Sequence, residues 1–182
     1  MRIAVVCAVY NEEKYIGRLI ESLLVQTRMP EEVVFVDDGS KDGTAAVIES
    51  YTKHYPMIRL LRNSNQGPAA SRNMAWRAAQ ADRVIFTDGD CVPEKDWIEK
   101  LLAGFTSEDI AAVAGTYSTL NKNEILARFV GHEIAWRYRN VRGAVDAHGA
   151  YNLAIRKKVL EEMGGFEESY KAPSGEDWDL TY

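Results

Sequence analysis

The chain is poor in cysteine and histidine, has no excess of positive charge and contains no long apolar run. Two cysteines, Cys7 and Cys91, are too few for a disulfide scaffold, and both suit a reducing interior. Cys7 falls inside an apolar run and reads as a small core residue. Cys91 follows an acidic pair and is given no catalytic part. With three histidines and no H-x-x-x-H or C-x-x-C spacing, there is no zinc pattern. His54 and His132 read as structural or solvated, and His148 as packed or hydrogen-bonded rather than touching an acceptor. Acidic side chains outnumber basic ones 27 to 22, for a net charge of −5, which argues against a nucleic-acid partner. No apolar run approaches the ~18 residues of a membrane span, and no leader reads ahead of residue 3. The expectation is a cytoplasmic domain, or one at the cytoplasmic face of a membrane. A dinucleotide oxidoreductase is set aside too: "VYNEEKY" stands where G-x-G-x-x-G would follow the first strand, and its acids would repel a pyrophosphate.

The 182 residues suffice for one domain with a real core. Short apolar runs alternate with helical patterns, and no linker, repeat or low-complexity tract interrupts them. "IAVVCAV" (3–9), "EVVFV" (32–36), "IRLLR" (58–62), "RVIFT" (83–87) and "AAVAGTYS" (111–118) read as strands. After the first, Asn11 is placed as an N-cap, and Ile16, Leu19, Ile20, Leu23 and Leu24 recur at helical spacing. A second helix opens at "DGTAAVIESYTK", a third begins with Pro68 in its first turn, and Pro93 opens a fourth. Repeated β-α units imply an α/β fold with a mostly parallel central sheet and helices on both faces. From residue 120 the pattern changes. A helix with large apolar residues and four arginines (Arg128, Arg137, Arg139, Arg142) is followed by a strand, a short helix ending near Gly164 and Gly165, and the start of another helix at "GEDWDLTY". The first of these either packs its apolar side on the sheet or meets a membrane interface through its arginines.

In parallel α/β sheets ligands bind at the carboxyl ends of the strands, and the acidic residues collect there. Glu12 follows the first strand, Asp37 and Asp38 end the second, and Asp88 and Asp90 end the fourth. Two carboxylates about 4 Å apart repel by roughly 4 kcal/mol at an effective dielectric of 20. A divalent cation removes that repulsion, and carboxylate oxygens suit Mg²⁺ or Mn²⁺ carried with a diphosphate. Read alone, "DGD" is equally a turn, and Glu176 and Asp177 are equally helix N-terminal acids.

Together, "AVYNEEKYI", "VFVDDGSKDGT", "NQGPAASRN", "FTDGDCVPEKDWIEKL" and "GEDWDL" resemble, in order and spacing, the motifs of family 2 glycosyltransferases, inverting enzymes of the GT-A fold. The resemblance covers residues 3–181. It implies one catalytic domain over 1–182, cut short at its C-terminal side. Residues 1–118 would form its nucleotide-sugar-binding part and 119–182 its acceptor side. It further implies a nucleoside diphosphate sugar as donor, a UDP-sugar ahead of a GDP-sugar, and a carbohydrate, polysaccharide or lipid-linked acceptor. By the same resemblance Ala8, Tyr10, Glu12, Asp37 and Asp38 line the nucleoside pocket, with Asp38 accepting from the base and Asp37 orienting the loop. Gly67 and Asn73 lie in the segment that closes over the nucleotide, where Arg72 either touches phosphate or lies on the helix surface. Asp88, with Gly89 beside it, sits near the ribose and the metal's hydration shell, and Asp90 is the direct metal ligand. Asp177 is the catalytic base, with Glu176 in support. The family's usual proline is replaced here by Ala8. Two other readings stay open at this stage: a sugar nucleotidyltransferase, and a non-catalytic nucleotide-sugar-binding fragment.

Overall fold

The computed structural model describes residues 1–120, 123–139, 141, 143–145, 148–170 and 175–181. Six strands form one sheet: β1 (Ile3–Val9), β2 (Glu32–Asp37), β3 (Ile58–Arg62), β4 (Arg83–Thr87), β5 (Ala112–Ala114) and β6 (Asn152–Arg156), in the order β3-β2-β1-β4-β6-β5. β3, β2, β1 and β4 are parallel; β6 runs antiparallel to β4 and to β5.

Strand side chains alternate between faces, and here both faces are covered. From β1, Ile3, Val5, Cys7 and Val9 enter one core, with Val33 and Phe35 of β2 and Ile85 of β4. That core is closed by α1 (Ile16–Leu23), α2 (Thr44–Thr52) and α4 (Trp97–Ala103). Ala4 and Val6, with Val34, Val36, Val84 and Phe86, enter the other, closed by α3 (Pro68–Ala78), α6 (Lys157–Met163) and α7 (Glu176–Thr181). β1 and β2 therefore read as near-continuous apolar runs because nearly all of their residues are buried against one helical layer or the other.

Three boundaries and the packing of one helix differ from the sequence expectation. Asn11 does not cap α1: it adopts a left-handed φ of 57°, and its Oδ1 accepts the Lys41 amide at 2.8 Å. The chain first turns on the Glu12 carbonyl, which accepts from Tyr15 and Ile16, so the helix starts at Ile16. α4 begins at Trp97 and not at Pro93, because the carbonyls ahead of it serve another segment: Lys95 O accepts from Thr27 N, and Glu94 O from Gln26 Nε2. β5 is three residues long, since the Asn152 side chain takes over beyond it and donates to Thr116 O at 2.9 Å. The helix read near 124–140 is α5 (Ile125–Tyr138), but it does not lay its apolar side on the sheet: Ile125, Leu126, Phe129 and Trp136 are exposed and Ile134 is buried. Arg142 lies outside the described residues, as does the Arg137 side chain. No helix among the described residues is long and apolar enough to cross a membrane.

The topology decides which segments meet. The chain winds from β1 outward to β3, then returns to β4 on the other side of β1, so a switch point lies between β1 and β4. Because β6 runs the opposite way, its head meets the same rim: Asn152 pairs with Thr87 at the end of β4. β5 ends there too, with Gly115 N donating to Asn152 O. One rim thus collects the tails of β1, β2, β4 and β5 and the head of β6.

Candidate active site

The turn after β1 is clipped to the loop after β2. Asn11 N donates to Ser40 Oγ, Glu12 N to Thr44 Oγ1 at 2.7 Å, and Gly43 N to Glu13 Oε2. These bonds hold Tyr10, exposed, and Glu12 at the rim beside the half-buried Ala8. Gly89 packs against that turn: a Cβ at Gly89 would stand 3.0 Å from Glu12 Cγ and 3.1 Å from Val9 Cγ1. The close approach requires glycine and draws the "DGD" turn onto Glu12.

Asp37 and Asp38 are both buried. Asp37 accepts the Ser40 amide at 3.1 Å and stands 3.6 Å from Arg62. Asp38 accepts the amides of Gln66 at 2.9 Å and Gly67 at 2.8 Å, fixing the entry to α3. Gly67 itself holds φ at 96°, which suits glycine, and Pro68 follows in the first turn as expected. Both acids hold loops in place through backbone amides.

Asn73 is placed apart from these residues in role. It is fully buried and its amide is fully used: Oδ1 accepts Phe166 N and Trp76 Nε1, while Nδ2 donates to Phe166 O and Glu168 Oε1. Two acceptances and two donations exhaust an asparagine, so a direct donor contact expected of Asn73 gives way to a structural one.

Arg72, next to it, points the other way and is the residue the sequence hid. Its guanidinium donates to Glu176 Oε1 at 2.7 Å and to Asp88 Oδ1 at 3.2 Å. With side-chain exposures of 11% for Arg72 and 4% for Glu176, this is a buried bridge and not a helix-surface arginine. It joins α3, the "DGD" turn and the head of α7. Asp88 keeps 41% of its side-chain surface open. Burial nonetheless pushes its carboxyl above the usual range; Arg72 opposes this, and Asp90 and Asp177 add to it. Glu12 is raised likewise, by burial and then by Asp90, Asp88 and Asp42. Burial works against the Arg72 charge as well, but Asp88 and Glu176 outweigh it and hold the guanidinium firmly protonated.

Asp88 therefore lies in the fields of Asp90 and Asp177, and Glu12 in those of Asp90 and Asp88, so acids from three distant parts of the chain meet around the "DGD" turn. Among the described residues no three His, Cys, Asp or Glu groups are arranged as a ready cation cage. The donor set still fits a hard cation such as Mg²⁺, which takes one or two carboxylates plus substrate oxygens, and Asp90 is exposed at the rim to offer one.

Asp177 sits at the floor of a cavity of about 180 Å³. Its Oδ2 accepts Ala150 N at 3.1 Å and its Oδ1 accepts Trp178 N at 3.0 Å. Gly149 allows this: a Cβ there would approach Asp177 Oδ2 to 3.2 Å and Tyr151 Cε1 to 2.5 Å. His148 is buried, with Nδ1 against Gly149 O at 2.9 Å and its ring between Tyr138 and Tyr151, which is the packed arrangement expected.

A parallel sheet with a switch-point rim, an acidic turn after β4 and one reversed strand defines a domain of the GT-A type. Comparison with known proteins agrees and is more specific. A family model described as glycosyl transferase family 2 matches residues 4–163. The chain belongs to glycosyltransferase family 2. It is 28% identical over 181 residues to glycosyltransferase AglE of Haloferax volcanii, covering 90% of this chain and 55% of that protein. It is 31% identical over 171 residues to an uncharacterized glycosyltransferase, alr2836, of Nostoc, covering 90% and 53%. The chain spans about half the length of these relatives. Among solved structures it matches the mannosyltransferase PcManGT from Pyrobaculum calidifontis in complex with GDP-Man and Mn²⁺ at 24% identity and a TM-score of 0.75, covering 97% of this chain and 49% of that one. It matches S. aureus TarS 1-349 in complex with UDP at 22% identity and a TM-score of 0.73, covering 100% and 54%. These likenesses establish the fold.

Proposed function

We propose that the chain is the catalytic core of a metal-dependent inverting glycosyltransferase, which moves a sugar from a nucleoside diphosphate to an acceptor hydroxyl. The observation that carries this reading is the Arg72 bridge from Asp88 to Glu176, because it ties the "DGD" turn to the "GED" segment at one rim, with Glu12 and Asp177 each in electrostatic reach of Asp88. Membership of the family supports it, as do fold neighbours solved with UDP and with GDP-Man and Mn²⁺. The donor is a UDP-sugar first and a GDP-sugar second. Residues 1–118 hold the donor and 119–182 face the acceptor.

In this scheme Tyr10 and Ala8 form the wall against the base, with Glu12 and Asp38 at the nucleoside. Gly67 brings backbone close to the nucleotide, while Asp37 keeps the neighbouring loop in place. Asp90, with Asp88 beside it, would hold Mg²⁺ or Mn²⁺. That ion, when bound, supplies Lewis-acid stabilisation of the departing diphosphate. Asp177 takes the acceptor hydroxyl proton on one oxygen while backbone amides hold both oxygens in direction. Glu176, locked by Arg72, keeps the head of α7 fixed relative to Asp88. Attack from the face opposite the leaving group inverts the anomeric centre and needs no covalent enzyme intermediate. The domain works in the cytoplasm or at the cytoplasmic face of a membrane.

A titration panel of UDP-, GDP-, CDP- and dTDP-sugars with and without Mn²⁺ tests the donor site and identifies the base. The expected result is metal-dependent binding of one nucleotide class, lost in Asp90→Ala. Asp177→Asn should keep donor affinity within about threefold and lose at least about a hundredfold in transfer rate, the lower end of the range for a general base. Transfer at the parent rate in Asp177→Asn would remove that residue from its role.

A further inference from the structure

We propose that a groove at the opposite end of the sheet from Asp88 and Asp177 binds a small molecule through one phosphate monoester, held by Arg83 and Arg156. Nothing in the proposed transfer uses this groove, so the two readings stand or fall separately. β4 starts there with Arg83, β6 ends there with Arg156, and the two residues are partners across the antiparallel pair. Cross-strand partners leave the same face of a sheet, and like charges placed directly opposite are destabilising. An anion on the pair relieves that repulsion.

Phe105 positions both guanidiniums. Its ring packs on the core, with the Arg83 guanidinium 4.2 Å and that of Arg156 5.4 Å from its centre. Arg156 is tied further to the loop before β5, donating to Ile110 O at 2.8 Å and Ser107 O at 3.0 Å. Arg83 has no such ties. Its Nη1 donates to the Met1 thioether, a weak acceptor, at 2.9 Å. Its Nε is the one buried side-chain nitrogen or oxygen among the described residues that has no hydrogen-bond partner. Burial, then the charge of Arg156, hold this guanidinium below the ordinary arginine range, against Glu108 and Asp82. The acids that border the groove are engaged elsewhere. Asp82 accepts the Arg2 amide at 2.6 Å, Glu108 pairs with Arg156 at 3.1 Å, and Glu161 and Glu162 each face a lysine one turn back in α6. Among the described residues, Arg83 is thus a fixed cation with no carboxylate at ion-pair distance.

The surroundings select the ligand. At about 870 Å³ the groove has the size of a small-molecule site, with room for more than a bare ion. Two guanidiniums match the near-double charge and three free oxygens of a phosphate monoester better than the single charge of a carboxylate. Four acidic and four basic side chains border the groove, so an extended polyanion gains little net attraction there. One phosphate on a neutral body avoids that penalty. Glu108 is 95% exposed, so its hold on Arg156 is weak and it gives way at little cost to a stronger anion. Met1, also exposed, can turn away from Nη1 in the same step.

An NMR titration of ¹⁵N-labelled protein in EDTA tests this, with glucose 6-phosphate, glycerol 3-phosphate and inorganic phosphate as probes and glucose and glycerol as their neutral counterparts. At least one ester should bind, with saturating shifts at the amides of Arg83, Glu108 and Arg156 that excess UDP leaves unchanged, while the neutral compounds shift none of the three. Affinity should fall about tenfold or more in Arg83→Met, the loss of one charge-assisted hydrogen bond. It should rise about twofold or more in Glu108→Gln, which removes the competing surface carboxylate. Because Glu108 is exposed, that variant still reads the site if Arg83→Met does not fold. Binding of inorganic phosphate with neither ester bound would overturn the inference, as would no binding at all or shifts confined to the Asp88–Asp177 rim. Unchanged affinity in either folded variant would do the same.

Discussion

Arg72 shows how one side chain can be buried, charged and indispensable to its neighbours. Its loss would take away the buried cation that faces Glu176, and breaking a buried pair by removing one side costs about 3 kcal/mol or more. Denaturant titration of Arg72→Met should show a loss of that order. Adding Glu176→Gln should recover part of it, because the buried negative charge is then gone, and a double-mutant cycle would report the coupling. Cys91 gives a second test at this scale. Burial, then Asp88, pushes its thiol up to about 11. A raised thiol pKa means less thiolate at a given pH, so at pH 8 about one molecule in a thousand is reactive. Iodoacetamide should therefore modify the native protein slowly, its rate climbing about tenfold per pH unit until near pH 11. Removing the neighbouring charge in Asp88→Asn should lower the pKa and speed the reaction at pH 8. Cys7, enclosed in the core with its thiol likewise raised by burial, should stay unmodified until the protein unfolds. Of these residue roles the sequence displays little. "DGD" and "GED" announce acids, but nothing in "AASRN" says that Arg72 turns to the rim while Asn73 beside it turns to the core. That split is set by the helical angle between neighbours and by what α6 and α7 later bring against α3.

The elements themselves were easier to read. β1, β2 and the apolar stretch of β4 are buried on both faces, and the bounds of β1 to β4 fall within a residue of the runs read as strands. Boundaries failed where a side chain or a loop intervened, as with Asn152 at the end of β5 and Thr27 and Gln26 ahead of α4. Asn73 is the strongest such intervention, since its amide staples α3 to the segment after α6. In Asn73→Ala the Phe166 N–H and C=O and the Trp76 N–H lose their partners together. A loss of about 3 kcal/mol in chemical denaturation is expected, with nucleotide affinity retained if Asn73 makes no donor contact. α5 is the element whose behaviour departs most from its amphipathic look. Ile125, Leu126, Phe129 and Trp136 face outward, and Arg139 stacks 4.4 Å from the Trp136 ring. If this helix serves a membrane surface, co-sedimentation with anionic vesicles should be detectable at low salt and fall as salt rises; no binding at low salt would dismiss that reading.

For the molecule as a whole, one reversed strand in an otherwise parallel sheet decides the layout. β6 enters at the rim where β1, β2 and β4 leave, so His148–Tyr151 arrives beside Thr87–Asp90. The excursion that departs at Tyr117 and returns at His148 begins and ends on one edge of the nucleotide platform. Such a detour can be lengthened, shortened or exchanged without altering the register of the four parallel strands. Under the proposed function, variation in what receives the sugar can be confined to this single stretch, while the strands that carry the proposed nucleotide site keep their places.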